Sequence, residues 1–194
     1  MPKIIDREQK KQEIIRHAWQ SISDHGIKGM SVRQIADQAG ISSGQMRYYY
    51  PDHAALLTAV MAYVKEKVEH RIKEIITSEL PIQQKIIEAI LATLPLDDDR
   101  YADMEVWTAF QMMTQEKGKD TMQDDIRKLV VTALSALESA GVLKAGLDRE
   151  LTTLRAVALI DGLAMHKLFA VDSVRNDMIE AIVINEVEFW MEAE

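Results

Sequence analysis

An all-α fold is predicted by three features of this 194-residue chain. Apolar residues recur at helical rather than alternating spacing, only 8 glycines and 4 prolines interrupt them, and two helix-start signatures flank a single glycine between Ser31 and Leu57. No segment shows the period-two alternation of a strand. With 47% hydrophobic residues the chain can bury a substantial core, enough for one small domain and one larger one.

The first helical stripe is Ile14, Ile15, Ala18, Trp19 and Ile22, ending at His25-Gly26. Ser31 is followed three residues on by Gln34, and Ser42 by Gln45. Each pair fits a capping box, in which a hydroxyl and an amide satisfy orphan N–H groups at a helix start. Gly40 stands where the first of these short helices must stop, because glycine enters the left-handed conformation without a Cβ penalty. Ala36 is small enough for two helices to cross closely, and Val32, Ile35, Ala39, Ile41 and Met46 supply the apolar side. Arg33, Ser43, Gln45, Arg47 and Tyr48 remain polar, and such residues reach phosphates and base edges. The segment therefore reads as a helix-turn-helix. Helix spacing alone is equally satisfied by an ordinary αα-hairpin with a solvated polar face.

Beyond it, Asp52 after Pro51 is the expected N-cap of a long helix over Ala54 to Thr77, with Leu57, Val60, Met61, Val64, Val68, Ile72 and Ile75-Ile76 on its apolar side. At a rise of about 1.5 Å per residue this is a rod roughly 39 Å long. Further helices are expected over Pro81 to Leu94, Arg100 to Glu116, Lys119 to Ala140, Asp148 to Phe169, and Val174 to the end. Gly141 and Gly146 bracket a turn.

The net charge of −8 is unevenly distributed. Residues up to Leu56 carry eight Lys or Arg against six acids, a balance of +2, and the remainder carries −10. A slightly basic head on an acidic body orients a molecule on a polyanion and discourages binding through the body. Absence of cysteine excludes disulfides, zinc-thiolate sites and thiol catalysis. The start MPKIIDREQKKQ is too charged for a signal peptide and no apolar run reaches membrane-spanning length, so a soluble cytoplasmic protein is expected. No HExxH, phosphate-cradling glycine loop or nucleophile elbow occurs. The acidic pairs Asp98-Asp99 and Asp124-Asp125 are sequence neighbours, about 100° apart on a helix, and so do not converge on a substrate. Neither catalytic residues, a metal site nor a cofactor is expected.

The run from Ile14 through HAW, HG, SVRQIADQAGIS, RYYYP and Leu56-Leu57 resembles the N-terminal domain of TetR-type transcriptional regulators, and the arginine after Met46 is similar to the BetI-like branch. The resemblance implies a helix-turn-helix DNA-binding domain over 1–50, a helical regulatory and dimerisation domain over 51–194, and a homodimeric repressor released from an inverted-repeat operator by a small-molecule effector. A helical regulator that acts through a protein partner, without DNA, is the alternative.

On this reading Arg47 and Tyr48 are the base-edge readers, with Ser43 and Gln45 beside them, and Arg33 reaches guanine bidentately. Ser42 and Tyr49 would hold phosphates, or alternatively serve as cap and core. Tyr50 occupies a position that is usually a buried aromatic. Where the family usually carries a phosphate-clamping lysine at the start of the long helix, this chain has His53, which with a reference pKa of about 6.5 is mostly neutral at neutral pH when unperturbed.

Ile179, Ile182, Val183, Glu186, Val187 and Trp190 share one face of the last helix, and Ala158, Gly162 and His166 lie four apart on the preceding one. These faces form either an oligomer contact or the subunit's own core. Met104, Trp107, Phe110, Gln111, Met112 and Met113, with Asp161, Met165, His166 and Phe169, are candidate effector-pocket residues and equally candidate core. Glu105 and Asp161 suggest a cationic ligand, and the BetI-like resemblance implies choline as an example of that class.

Overall fold

The computed structural model describes residues 7–27, 31–114, 122–170 and 174–192. Among them are nine helices: α1 (Arg7–His25), α2 (Val32–Gln38), α3 (Ser43–Tyr49), α4 (His53–Thr77), α5 (Ile82–Leu91), α6 (Asp98–Thr114), α7 (Met122–Ser139), α8 (Arg149–Phe169) and α9 (Asn176–Phe189). The described residues contain no strand, only an isolated bridge between Leu143 and Met191. Every expected helix is present. Asp52 caps α4 through a 2.7 Å bond from the Ala55 amide, and Asp148 caps α8 through the Leu151 amide. The ends expected at Glu116 and Lys119 lie outside the described residues.

The chain gathers into two compact units, one of Met1–Lys67 with Tyr101–Lys117, the other of Val68–Arg100 with Gly118–Glu194. In the first unit, α1 buries Ile14, Ile15, Ala18, Trp19 and Ile22, the stripe that its spacing marks as apolar. α2 contributes Ile35 and Ala36, α3 Met46, and the first part of α4 Leu56, Leu57, Val60 and Val64. Most of α6 belongs to this unit, burying Ala102, Met104 and Val106.

A polar cluster lies within that apolar packing. The Asp103 carboxylate accepts a 2.8 Å hydrogen bond from the Trp19 indole and pairs with the Lys67 ammonium at 3.1 Å, while that ammonium lies 3.5 Å from the centre of the Trp19 ring. Asp103 is 6% exposed. An ionised carboxylate so placed is tolerated only when paired and hydrogen-bonded. α1, α4 and α6 are thus tied together at one point. Two residues farther along α6, Glu105 accepts a bond from the Ile27 amide, and burial pushes its carboxyl above the ordinary carboxylate range while that amide opposes the shift. Its carboxylate faces the α1 end at Gly26 and Ile27.

In the second unit, α5 packs with α7 and α9, and α7 with α8. Ile126, Val130, Ala133, Leu134 and Leu137 form the buried stripe of α7, and Ile86, Ile87 and Ile90 of α5 and Ala156, Ile160 and Leu163 of α8 are buried as well. The face of α9 read as an oligomer contact is also used here. Ile179, Val187 and Trp190 are fully buried, Val183 nearly so, and Glu186 accepts bonds from the Trp190 indole at 3.0 Å and from Arg155 at 2.6 Å. Periodicity does not separate these uses because α9 is apolar on a second side as well: Met178 and Phe189 are exposed, and Ile182, which the spacing groups with the buried face, is only half-buried.

We expect Lys67→Met to destabilise the fold by about 3–5 kcal/mol, because it leaves the buried Asp103 carboxylate without its counter-charge, whereas Asp103→Ala, which leaves an unbonded indole and a more exposed ammonium, costs about 2 kcal/mol. Urea unfolding with an unchanged slope would measure both, and equal losses would contradict this account of the cluster.

Candidate nucleic-acid interface

The two short helices are positioned by local bonds that their sequence specifies. Ser31, in extended conformation, accepts the Gln34 amide through its hydroxyl at 3.4 Å, giving α2 the hydroxyl half of the expected box. At α3 the box is complete: the Gln45 amide donates to the Ser42 hydroxyl at 3.2 Å, and the Ser42 amide donates to the Gln45 side-chain oxygen at 2.9 Å. Between them Gly40 has φ +65°. Its amide donates to Asp37 O at 3.1 Å and the Ile41 amide to Ala36 O at 2.9 Å, the paired bonds that close a helix through a left-handed residue.

The α1 helix secures the other side of the turn. Lys10 donates to the Ala39 carbonyl at 3.1 Å and to Glu13 at 2.6 Å, so one ammonium caps the end of α2 and holds the Glu13 carboxyl below its ordinary range. Tyr50 is half-buried and its hydroxyl donates to Lys11 O at 3.4 Å. Burial, and then the charge of Glu8, push that phenol up to about 12. Tyr50 therefore fastens the end of α3 to α1.

With the caps and the apolar side committed, the remaining side chains lie at the surface. Arg33 on α2, and Ser43, Arg47 and Tyr48 on α3, are exposed, Tyr48 to 64%. Ser42 and Gln45 are exposed too, but their polar atoms serve one another in the cap. Tyr49 is half-buried and stands edge-on to Tyr48, ring centres 5.3 Å apart, so its ring is engaged in packing. His53, the first residue of α4, is exposed.

Two residues of this surface escape sequence reading. Arg7, the first residue of α1, lies with its guanidinium 4.9 Å from the centre of the Tyr48 ring. Nothing local in the sequence relates residues 41 positions apart. Gly44 is the second residue of α3 and has a helical backbone, and a Cβ placed on it would meet nothing closer than the Ser42 hydroxyl at 3.8 Å. A signal for it exists in the sequence: a glycine inside a capped helix costs roughly 0.5–1 kcal/mol relative to alanine. With Arg47 and Tyr48 three and four residues on, it shares their face.

The candidate effector residues fall into two groups. Met104, Trp107 and Gln111 lie on the part of α6 that belongs to the first unit. Met104 is buried and the other two half-buried, and the Trp107 indole N–H is buried with no acceptor among the described residues. Asp161 and Met165, half-buried, and His166, exposed, lie on α8 in the second unit. Phe169 and Met112 are among the most exposed apolar side chains, so neither is core. Among the described residues no three His, Asp or Glu side chains converge as metal ligands, and no helix is long and apolar enough to cross a membrane.

Residues 14–60 match the model of the tetR family of bacterial regulatory proteins, and residues 83–188 match that of the BetI-type transcriptional repressor C-terminal domain. The chain is 33% identical over 190 residues to the HTH-type transcriptional regulator PksA of Bacillus subtilis (strain 168), a match spanning 97% of this chain and 93% of that one. It is 27% identical over 112 residues to the HTH-type transcriptional regulator BetI of Yersinia pestis (strain Pestoides F), covering 57% of each. Its fold is shared with a transcriptional regulator from Saccharomonospora viridis solved in complex with choline, at a TM-score of 0.77 and 19% identity over 96% of this chain and all of that one. A TetR transcription regulator from Haloarcula marismortui has the same fold at 0.76 and 17%, over 95% of this chain and all of that one. Carrying a helix-turn-helix in its first third and a BetI-type domain over more than half its length, the chain belongs to the TetR family of transcriptional regulators and is not an enzyme.

Proposed function

We propose that the protein is a repressor that binds an inverted-repeat operator as a homodimer in the cytoplasm and is released by a small cationic effector. The observation that carries the DNA reading is the α3 surface: a capped helix whose apolar side is buried and whose opposite face presents Arg47 and Tyr48 to solvent. Residues 1–50 act as the DNA-binding domain and 51–194 as the regulatory and dimerisation domain. Arg33, Arg47 and Tyr48 read base edges with Ser43, while Ser42 and Gln45 hold the helix start against phosphate and Tyr49 supports Tyr48.

Dimerisation is supported by apolar surface left over once the core is filled. Leu151, Leu154 and Phe169 on α8 are 63%, 59% and 67% exposed, with Ala158 in line, and on α9 Met178 and Phe189 are 44% and 40% exposed. The interface proposed here uses this second side of α9 together with α8. Two recognition helices about 34–36 Å apart would occupy successive major grooves. For the effector, the Trp107 indole N–H, without an acceptor among the described residues, calls for an acceptor atom on the ligand, as an oxygen substituent would supply. Choline, a cation with an oxygen substituent, is the ligand in the Saccharomonospora neighbour. Effector and operator would then lower each other's affinity by a coupling of about 1–3 kcal/mol.

The direct test is selection of genomic fragments by the purified protein. We expect one inverted repeat, bound tightly by the native chain and at least tenfold more weakly by Arg47→Ala, in line with about 1–3 kcal/mol for a base contact. Enrichment of no site at low salt, with or without candidate cations, would favour a protein-binding regulator.

Gly44→Ala separates folding from binding. Because the added methyl meets only the Ser42 hydroxyl, thermal unfolding should move upward, by the equivalent of roughly 0.5–1 kcal/mol, while operator affinity falls as the methyl intrudes between α3 and the groove. Undiminished affinity would remove Gly44 from the DNA surface.

For His53, conversion to lysine places an ammonium at the start of α4, so the slope of log affinity against log salt should steepen by about 0.9 for each phosphate that this ammonium newly neutralises. An unchanged slope at neutral pH would mean that residue 53 never meets DNA.

A further inference from the structure

We infer that Arg7, outside the helix-turn-helix, is a phosphate contact of the DNA-binding surface, held in place before DNA arrives by the ring of Tyr48. The inference rests on the DNA reading of α3 and extends its surface to the first turn of α1. Arg7 begins a helix whose apolar stripe, Ile14 to Ile22, is locked into the core of the same unit, so the position of its first turn is set by packing rather than by a loose arm. From there its guanidinium lies 4.9 Å from the centre of the Tyr48 ring. Both side chains are exposed, and Tyr48 is the more exposed of the two tyrosines on α3.

The chemistry suits an anion. Attraction to a ring face is electrostatic and does not consume the five N–H donors of a guanidinium, whose planar fork matches two phosphate oxygens. A lysine in the same place would offer a point charge without that fork. The neighbouring acid, Glu8, is 3.6 Å from Lys11. Tyr48 in turn is braced by Tyr49 at 5.3 Å, so the cation rests on a ring that is itself held. Holding a long side chain near its binding position lowers the ordering cost of association. A phosphate contact made this way carries no sequence information and fixes how the recognition helix lies over the groove.

The experiment is a salt titration of operator binding, followed by fluorescence anisotropy on the inverted repeat recovered by selection. It compares the native chain with Arg7→Ala, Arg7→Gln and Arg7→Lys and repeats each titration on a repeat with altered bases. For a dimer with one Arg7 phosphate per subunit, Arg7→Ala and Arg7→Gln should each flatten the log–log slope by about 1.8, with affinities converging on the native value as salt rises. Arg7→Lys should keep the slope at reduced affinity, and the ratio between native and altered repeats should not change in any variant. Equal slopes for the native chain and Arg7→Ala would overturn the contact, as would an unchanged slope with a collapsed ratio, which would mean that Arg7 acts only by orienting Tyr48. Failure of the native chain to form any salt-sensitive complex would overturn the DNA reading itself.

Discussion

The Asp103 carboxylate is the point on which the first compact unit depends. Apolar contacts between α1, α4 and α6 are individually non-directional, and such stripes tolerate sliding and rotation. A buried charge does not. It must meet the Trp19 donor and the Lys67 ammonium together, and the ammonium must also lie on the Trp19 ring, so three helices are fixed in register by one set of distances. Desolvation makes each charge costly to bury alone, so the carboxylate, the ammonium and the indole have to be placed together. The caps on α2 and α3 gain their meaning from that constraint, since they aim their helices relative to an α1 that no longer has freedom to turn.

What is legible in the amino-acid sequence is what is local. Ser42 with Gln45, Asp148, and Gly40 after Ala36 each act on atoms within four residues or so, and each is found in the bonds its side chain allows. Helical stripes are legible for the same reason. Trp19 and Asp103 stand 84 residues apart, and Arg7 and Tyr48 stand at opposite ends of the stretch from α1 to α3, so no spacing rule relates them. A third class is legible and misleading. The face of α9 containing Ile179, Val183 and Trp190 reads as apolar and is so, but α9 has two apolar sides, and only its packing against α5 decides which one is inside.

The candidate DNA surface follows a division of labour visible in burial. Side chains whose polar atoms are used within the protein, such as Ser42, Gln45 and Tyr50, set the geometry. Those left exposed on the same helices, Arg33, Ser43, Arg47 and Tyr48, project their polar ends to solvent. The absence of a side chain at Gly44 belongs with the second group, since nothing in the fold requires it. Recognition on this view is assembled from residues that folding does not need, on a frame made of residues that folding does.

The first unit is built from two separated stretches of chain, because Tyr101–Lys117 joins Met1–Lys67. It follows that the head is not a portable module. A chimera that grafts residues up to Lys67 onto another regulator's body would take Trp19 and Lys67 without Asp103, and Ile27 without Glu105, leaving a hydrophobic seam open where α6 had lain. Swapping operator specificity between relatives is therefore better done by exchanging exposed side chains on α2 and α3 than by exchanging the domain.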